Sequence, residues 1–317
     1  MATNARIDED VLTPLSARRG LPAGQAGAGG EVQLSIIIIN YNTFELTSRC
    51  IQSLYDKLTG LTYEIILVDN ASKECDPQLF KQKFPDIKLI VSETNTGFTG
   101  GNNLGVEAAT GDYLLLLNSD TELINNAPKI CYDYITRHPE VGMVTCQLVY
   151  PDGRIQNNCR RFRTIGWELL EIFPVYKLMP KQKREALMLH HYFDHKSFMK
   201  CDWVWGAFMF FPKKIITELP QKKLSDDFFM YCEDTLWCLD FHQLGYEVHF
   251  LPDAKVMHVH KGSVSKDKYY WIWKSTVKNQ TQLMKKYYPD WRWYIFYAIY
   301  RTKQLGAWAV LKVKGKM

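Results

Sequence analysis

The sequence predicts an α/β fold: a mostly parallel sheet flanked by helices, with a helical, aromatic and basic extension at its C-terminal end. Three observations carry this. Between residues 34 and 150, short apolar runs alternate with segments of helical periodicity, and the links are short. The runs are continuously apolar and rich in β-branched residues, as in strands covered on both faces. Most end abruptly in a polar residue, where ligands bind at the carboxyl edge of such sheets.

The elements follow in order. "LSIIIIN" is a first buried strand, and "TFELTSRCIQSLYDKL" is a helix with Thr43 as N-cap. "YEIILVD" is a second strand, ending in Asp69. "DPQLFKQKF" is a short helix and "IKLIVS" a third strand. "TGGNNLGVEAAT" opens a helix that ends near Gly111, and "DYLLLLNSD" is a fourth strand. "NAPKICYDYITRHP" is a helix and "VGMVTCQLVY" a strand. Right-handed βαβ units follow from that alternation. The second half is less regular. "CDWVWGAFMFFPKKII" reads as a strand pair or strand and turn, and "CEDTLWCLDFHQLG" as a helix closed by Gly245 before another strand.

Composition sets limits. Apolar and charged fractions of 46% and 23% are those of a globular protein. The net charge of +5 is concentrated at one end: from Lys261 onward there are 13 Lys and Arg against two acids, while the first 260 residues carry a net of −6. The chain as a whole is therefore not a general polyanion binder, and no nucleic-acid motif accompanies the charge. Eight cysteines without a CxxC pair, several inside apolar runs, read as reduced buried thiols of a cytosolic protein. Residues 1–31 hold no apolar stretch of signal-peptide length and end in a Gly/Ala-rich segment, which reads as a flexible leader.

Five constellations carry candidate chemistry. In "NSDTE", Asp120 and Glu122 stand two apart, so an extended segment aims both at one hard cation, with Asn118 as a third oxygen donor; Mg²⁺ or Mn²⁺ suits that set. A capped turn is the other reading. In "VDNAS", Asp69 either accepts hydrogen bonds from a ribose or base or starts an Asp-Asn turn. "NTGFTGGNN" places small residues before a helix N-terminus, which favours phosphate, or is a plain glycine turn. It is neither a P-loop nor a GxGxxG fingerprint. In "DDFFMYCEDTLWC", Asp226, Asp227, Glu233 and Asp234 cluster, and adjacent carboxylates raise the pKa of at least one member, as a general base requires; helix-start acids favoured by the macrodipole are the alternative. In "HVHKGS", His258 and His260 share a side when extended and can ligate a metal or bind a diphosphate.

Together "SIIIINYN", "EIILVDNAS", "NTGFTGGNN", "YLLLLNSDTEL", "WVWGAFMF", "FFMYCED" and "HVHKGS" resemble, in that order, the motifs of family 2 glycosyltransferases. The likeness is greatest to bacterial rhamnosyltransferase-like members that build cell-wall or O-antigen polysaccharide. It spans residues 34–265. The resemblance implies a GT-A, Rossmann-like fold over 32–265, with a nucleotide-sugar-binding half (32–150) and an acceptor and catalytic half (151–265). It also implies roles. Asp69 would contact base or ribose beside Asn40 and Tyr41. Asn95, Gly97, Phe98 and Asn102 would line the donor. Asn118 and Asp120 would form the DXD-type metal motif, Asn118 replacing its first Asp. Asp234 would be the catalytic base, with Glu233 beside it. His258, or else His260, would assist the metal or diphosphate. Trp203 and Gly206 would lie near a sugar, and Arg160 and Arg161 near the diphosphate.

The implied activity is metal-dependent, inverting transfer of a sugar from dTDP-rhamnose or a UDP-sugar to a glycan, lipid-linked through a polyprenyl diphosphate. A non-catalytic sugar-binding module on the same fold is the alternative; a nucleotidyltransferase would need a basic Gly-rich loop where "INYNTF" stands. The tail, 266–317, interleaves Tyr and Trp with Lys and Arg. Its apolar runs are too short to span a bilayer, and its composition suits an anionic membrane surface, predicting a peripheral protein on the inner face of the cell membrane. Packing on the catalytic domain or a homo-oligomer contact is the competing reading of that segment.

Overall fold

The structure, a computed structural model, describes residues 31–259 and 269–313. The leader before residue 31 and the His260 expectation lie outside the described residues.

Among the described residues, eleven strands and ten α-helices follow one another. The first half runs β1 (Leu34–Asn40), α1 (Phe44–Lys57), β2 (Tyr63–Asp69), α2 (Gln78–Lys83), β3 (Lys88–Val91), α3 (Gly97–Ala108), β4 (Tyr113–Asn118), β5 (Thr121–Leu123), α4 (Ala127–Ile135) and β6 (Val141–Val149). The second continues with β7 (Cys159–Arg160), α5 (Ile165–Ile172), α6 (Lys181–Met188), β8 (Met199–Cys201), β9 (Trp203–Val204), β10 (Phe208–Pro212), α7 (Lys214–Glu218), α8 (Glu233–Gln243), β11 (Glu247–His258), α9 (Tyr269–Tyr287) and α10 (Arg292–Val313).

The main sheet has the order β3-β2-β1-β4-β10-β6-β11-β5, with β8 on the side of β11. The first four strands are parallel, as expected. Beyond them the sheet is mixed. The antiparallel β10 lies between β4 and β6, and β11 runs parallel to β6. The expected βαβ alternation would set β4 and β6 side by side, since one helix and the short β5 separate them. The strand inserted between them arrives about 60 residues later in the chain. The three-residue β5, invisible in the hydrophobic pattern, pairs antiparallel with the end of β11.

Alternation along β1 sorts the core. Leu34, Ile36 and Ile38 face a layer built with Cys50, Ile51 and Leu54 of α1, Phe80 of α2, and Cys131 of α4. Ile37 faces the other way, toward Val106 of α3, Ile215 of α7, and Trp237 and Phe241 of α8. A third apolar cluster joins Leu236 and Leu239 of α8 to Val277, Leu283 and Met284 of α9 and to Phe296 and Tyr300 of α10. Helix α8 is thus covered on two sides, which is why its sequence shows little amphipathicity. The C-terminal helices are docked, and ion pairs fix them: buried Glu168 of α5 meets Arg163 at 2.6 Å and Lys303 of α10 at 2.7 Å. Trp291, just before α10, and Tyr294, Tyr297 and Leu305 of α10 are exposed. No described helix is long and apolar enough to cross a membrane.

Thr43 does occupy the position before α1, but it does not cap it. Its hydroxyl donates to Asn40 Oδ1 at 3.0 Å, and the Glu74 carboxylate takes the Phe44 N–H instead. All eight cysteines are free, and all but Cys75 are buried.

Candidate active site

The polar residues that end β1, β2 and β4 converge at the carboxyl edge of the parallel strands. Asn40 and Asp69 end paired strands in register. Asn40 Nδ2 donates to Asp69 Oδ2 at 2.7 Å, and the Ser72 N–H donates to the other oxygen at 3.0 Å. Asn40 Oδ1 in turn accepts from Thr47 at 2.8 Å. The Asp69 carboxylate is therefore buried and held on both oxygens, one of them by the turn that follows the strand. Asn70 carries the arrangement to the next loop: its Oδ1 accepts from the Thr96 N–H at 2.9 Å and its Nδ2 donates to the Gly97 carbonyl at 2.9 Å. Asn95 accepts from the Gly97 N–H at 2.9 Å. Tyr41 stands beside them, half exposed.

Gly97 opens α3 with φ +74°, and a Cβ there would lie 2.4 Å from the Phe229 carbonyl oxygen. Only glycine satisfies both constraints. Two expected donor-lining residues turn out to be partly committed within the protein. Asn102 is buried and donates to the Phe98 carbonyl of its own helix at 2.9 Å. Phe98 stacks on Trp237, with centroids 5.9 Å apart, and lies against Gly206.

Past β4, Asp120 meets His258 from the end of β11, with Oδ1 and Nε2 3.3 Å apart. Gln156 sets the imidazole. Its Nε2 donates to the His258 carbonyl at 2.6 Å, which fixes the amide so that Oε1 accepts from His258 Nδ1 at 2.7 Å. Nε2 is thereby presented to Asp120, the tautomer of a metal-ligating histidine held by a partner on its other nitrogen. The expected partnership of Asp120 with Glu122 is not formed in this way. Asp120 precedes β5 rather than lying in it, so strand alternation does not govern the pair, and Glu122 is engaged by Arg49 at 3.5 Å. Among the described residues, no three His, Cys, Asp or Glu side chains gather as a metal cage. The side chains placed here that suit a hard cation are, among the described residues, one carboxylate and one oriented imidazole.

A backbone bridge connects this edge to the acidic pair. The Asn118 N–H donates to the Ala207 carbonyl at 3.1 Å, and the neighbouring Gly206 N–H donates to Asp234 Oδ2 at 3.2 Å. Asp234 Oδ1 accepts from the Thr235 N–H at 2.7 Å. Burial raises the Asp234 pKa, and these two N–H donors and Arg160 counter it. Glu233 is pushed up to about 8, first by burial and then by Asp234. The other two acids of this stretch lie apart in surface ion pairs, Asp226 with Lys223 and Asp227 with Lys286.

Both carboxyls line a cavity of about 510 Å³. Arg160 lies in its wall between Trp203 and Trp205, 5.3 and 5.1 Å from the ring centroids, and burial lowers its pKa to about 10. Arg161 is held by Asp202 at 2.8 Å. Sequence reasoning missed Trp205, Gln156 and Asn70. The spacing of "WVW" was a usable signal, because residues two apart in an extended segment share a face. Gln156 had none, since its role exists only through a contact 102 residues away.

These features define a class first: a GT-A fold whose strand ends gather a fixed Asp, an Asp–His pair and a second carboxylate pair. The comparisons narrow it. The sequence profile described as glycosyl transferase family 2 matches residues 35–207, more than half of the chain, and the chain belongs to that family. It is 27% identical over 221 residues to the low-salt glycan biosynthesis hexosyltransferase Agl10 of Haloferax volcanii, covering 65% of this chain and 60% of that protein. It is also 27% identical over 132 residues to the O-antigen biosynthesis protein RfbC of Myxococcus xanthus, covering 40% of this chain and 10% of that one. The chain thus spans less than two thirds of the length of either relative. Among solved structures it resembles a mannosyltransferase from Pyrobaculum calidifontis in complex with GDP-Man and Mn²⁺, with a TM-score of 0.57 at 15% identity over 92% of this chain and 77% of that one. That likeness concerns the fold.

Proposed function

We propose that this chain is a metal-dependent, inverting glycosyltransferase acting in glycan or polysaccharide assembly. One observation carries the reading. Asn118, two residues before the Asp120 that meets His258, donates its N–H to the Ala207 carbonyl, and the adjacent Gly206 N–H donates to Asp234, which supports a cation site and a base near each other at the sheet edge.

The donor would be a nucleotide-diphospho-sugar, dTDP-rhamnose or a UDP-sugar. Asp69, held by Asn40 and Ser72, would take hydrogen bonds from the base or ribose beside Tyr41. The Asn95–Gly97 turn and the start of α3 would approach the sugar diphosphate, where backbone N–H groups favour anions. Asp120 and His258 would hold Mg²⁺ or Mn²⁺, which when bound offsets the charge that develops on the leaving nucleoside diphosphate. Glu122, engaged by Arg49, is left an outer role. Arg160 adds a fixed positive charge beside Asp234. Asp234 would accept the proton of the acceptor hydroxyl as that oxygen attacks the anomeric carbon from the face opposite the leaving group. One displacement of this kind inverts the configuration and forms no covalent enzyme intermediate. A raised carboxylate pKa suits a base that must take up a proton at that moment.

The outer, aromatic side of α9 and α10 would rest on an anionic membrane surface, which suits a polyprenyl-diphosphate-linked acceptor. The test of the catalytic reading is Asp234→Asn. That variant should keep the donor-induced rise in melting temperature and lose transfer by about 10²–10⁴-fold. Turnover near that of the unaltered protein would remove Asp234 from the role.

A further inference from the structure

The cavity beside Asp234 has a wall that the catalytic domain does not supply. Helix α9 contributes Trp273 and Gln280 to it. Gln280 is 5% exposed, and its Nε2 has no hydrogen-bond partner. Glu233, 8% exposed and on the same cavity, has an unpartnered Oε2. Buried polar atoms are satisfied in nearly all native proteins, so two orphans on one cavity mark the place of a polar ligand. One orphan is a donor and the other belongs to a carboxyl, and a hydroxyl can serve either. Around them stand Trp203, Trp205, Trp273 and Tyr231. Flat aromatic faces combined with a few fixed polar groups suit the apolar faces and rim hydroxyls of a pyranose ring.

The same helix also holds the strand of chain that carries the acids. Tyr231 and Cys232 both adopt left-handed backbone conformations, φ +71° and +72°, immediately before Glu233. Asn279 of α9 donates to the carbonyls of Met230 and Tyr231, at 3.0 and 2.9 Å. Non-glycine residues persist in that region only when their surroundings enforce it. Helix α9 therefore reaches the acidic pair twice, through the backbone before it and through the cavity beside it.

We infer that α9 completes an acceptor subsite for a saccharide, in which the Gln280 amide and the Glu233 carboxyl bind hydroxyls of the sugar whose free hydroxyl faces Asp234. The inference rests on the glycosyl-transfer reading and adds the chemistry of the acceptor to it. Gln280 is then a specificity-determining residue on a segment whose composition suggested a membrane surface or packing on the catalytic domain.

The test uses the full chain and its Gln280→Met variant, which keeps the side-chain volume and removes the amide. The probes are the methyl glycosides of glucose, galactose, rhamnose and N-acetylglucosamine, with tryptophan fluorescence for binding and mass spectrometry for transfer. Loss of an unpartnered buried donor leaves the melting temperature equal or higher. The unaltered chain should bind and glycosylate at least one probe. Gln280→Met should raise the KM for that glycoside about tenfold, with a change of less than about twofold in the KM for the nucleotide sugar. An unchanged glycoside KM in the variant overturns the inference. So does hydrolysis of the donor with neither binding of nor transfer to any of the glycosides. A chain that neither binds nor hydrolyses any nucleotide sugar removes the glycosyl-transfer reading itself, and the acceptor subsite with it.

Discussion

At the scale of single residues, Glu233 links electrostatics to stability. Its usual pKa of 4.5 is raised to about 8 by burial and by Asp234. Between those values the folded chain binds more protons than the unfolded one. Stability from this group is complete below about pH 4.5 and is lost as pH rises toward about 8. Asp234 is shifted in the same direction, so it adds to the trend. Glu233→Gln, neutral at every pH, should therefore melt at least about 3 °C higher than the unaltered protein near pH 8.5, and by much less near pH 4.5. Thermal unfolding of both proteins at the two pH values decides this. An equal difference at both would mean that Glu233 does not titrate in the way its burial requires. The positions of Asp69, Asp120 and His258 at or just past strand ends and of Asp234 at a helix start were legible in the sequence, and the structure has them there. What the sequence hid was the state of each group. That Asn102 turns into its own helix, and that Glu122 is engaged by Arg49, follows from contacts that no local pattern encodes.

At the scale of elements, the parallel strands were legible because covered strands read as continuous apolar runs. β5 and β7 were not, being three and two residues long and formed only through pairing. Nor was the insertion of β10 between β4 and β6, which depends on a strand from late in the chain. The expected packing of the tail on the rest of the chain is seen on one side of these helices, and the proposed membrane contact would use the other. Val277, Leu283, Phe296 and Tyr300 pack inward, while Trp291 and Tyr294 are 68% and 70% exposed. Helix α10 is tied to α5 through Lys303 and the buried Glu168, so its outer side presents those rings in a set orientation. The expected consequence is recovery of the protein with anionic liposomes and not with neutral ones. Replacing Trp291, Tyr294 and Tyr297 by Ser should reduce that recovery about tenfold or more. Equal recovery of the triple variant would assign those rings to another contact.

At the scale of the whole molecule, one sheet draws on both halves of the sequence, and the site lies where they meet. The turn between β4 and β5 brings Asp120, β11 brings His258, and the turn before β10 holds Asp234 through Gly206. The proposed cation site has one carboxylate, Asp120, and one imidazole, His258, among the described residues, with an amide, Asn118, at the end of β4. The account accordingly expects a weakly held ion that binds together with the donor phosphates. The measurement that tests this centrally is release of nucleoside diphosphate from a panel of nucleotide sugars, with Mn²⁺ or Mg²⁺, for the unaltered chain and for Asp120→Ala. The account predicts release with at least one donor, abolition by EDTA, recovery on adding metal, and a loss of about 10²-fold or more in Asp120→Ala. Release that persists undiminished in EDTA, or in Asp120→Ala, would contradict it.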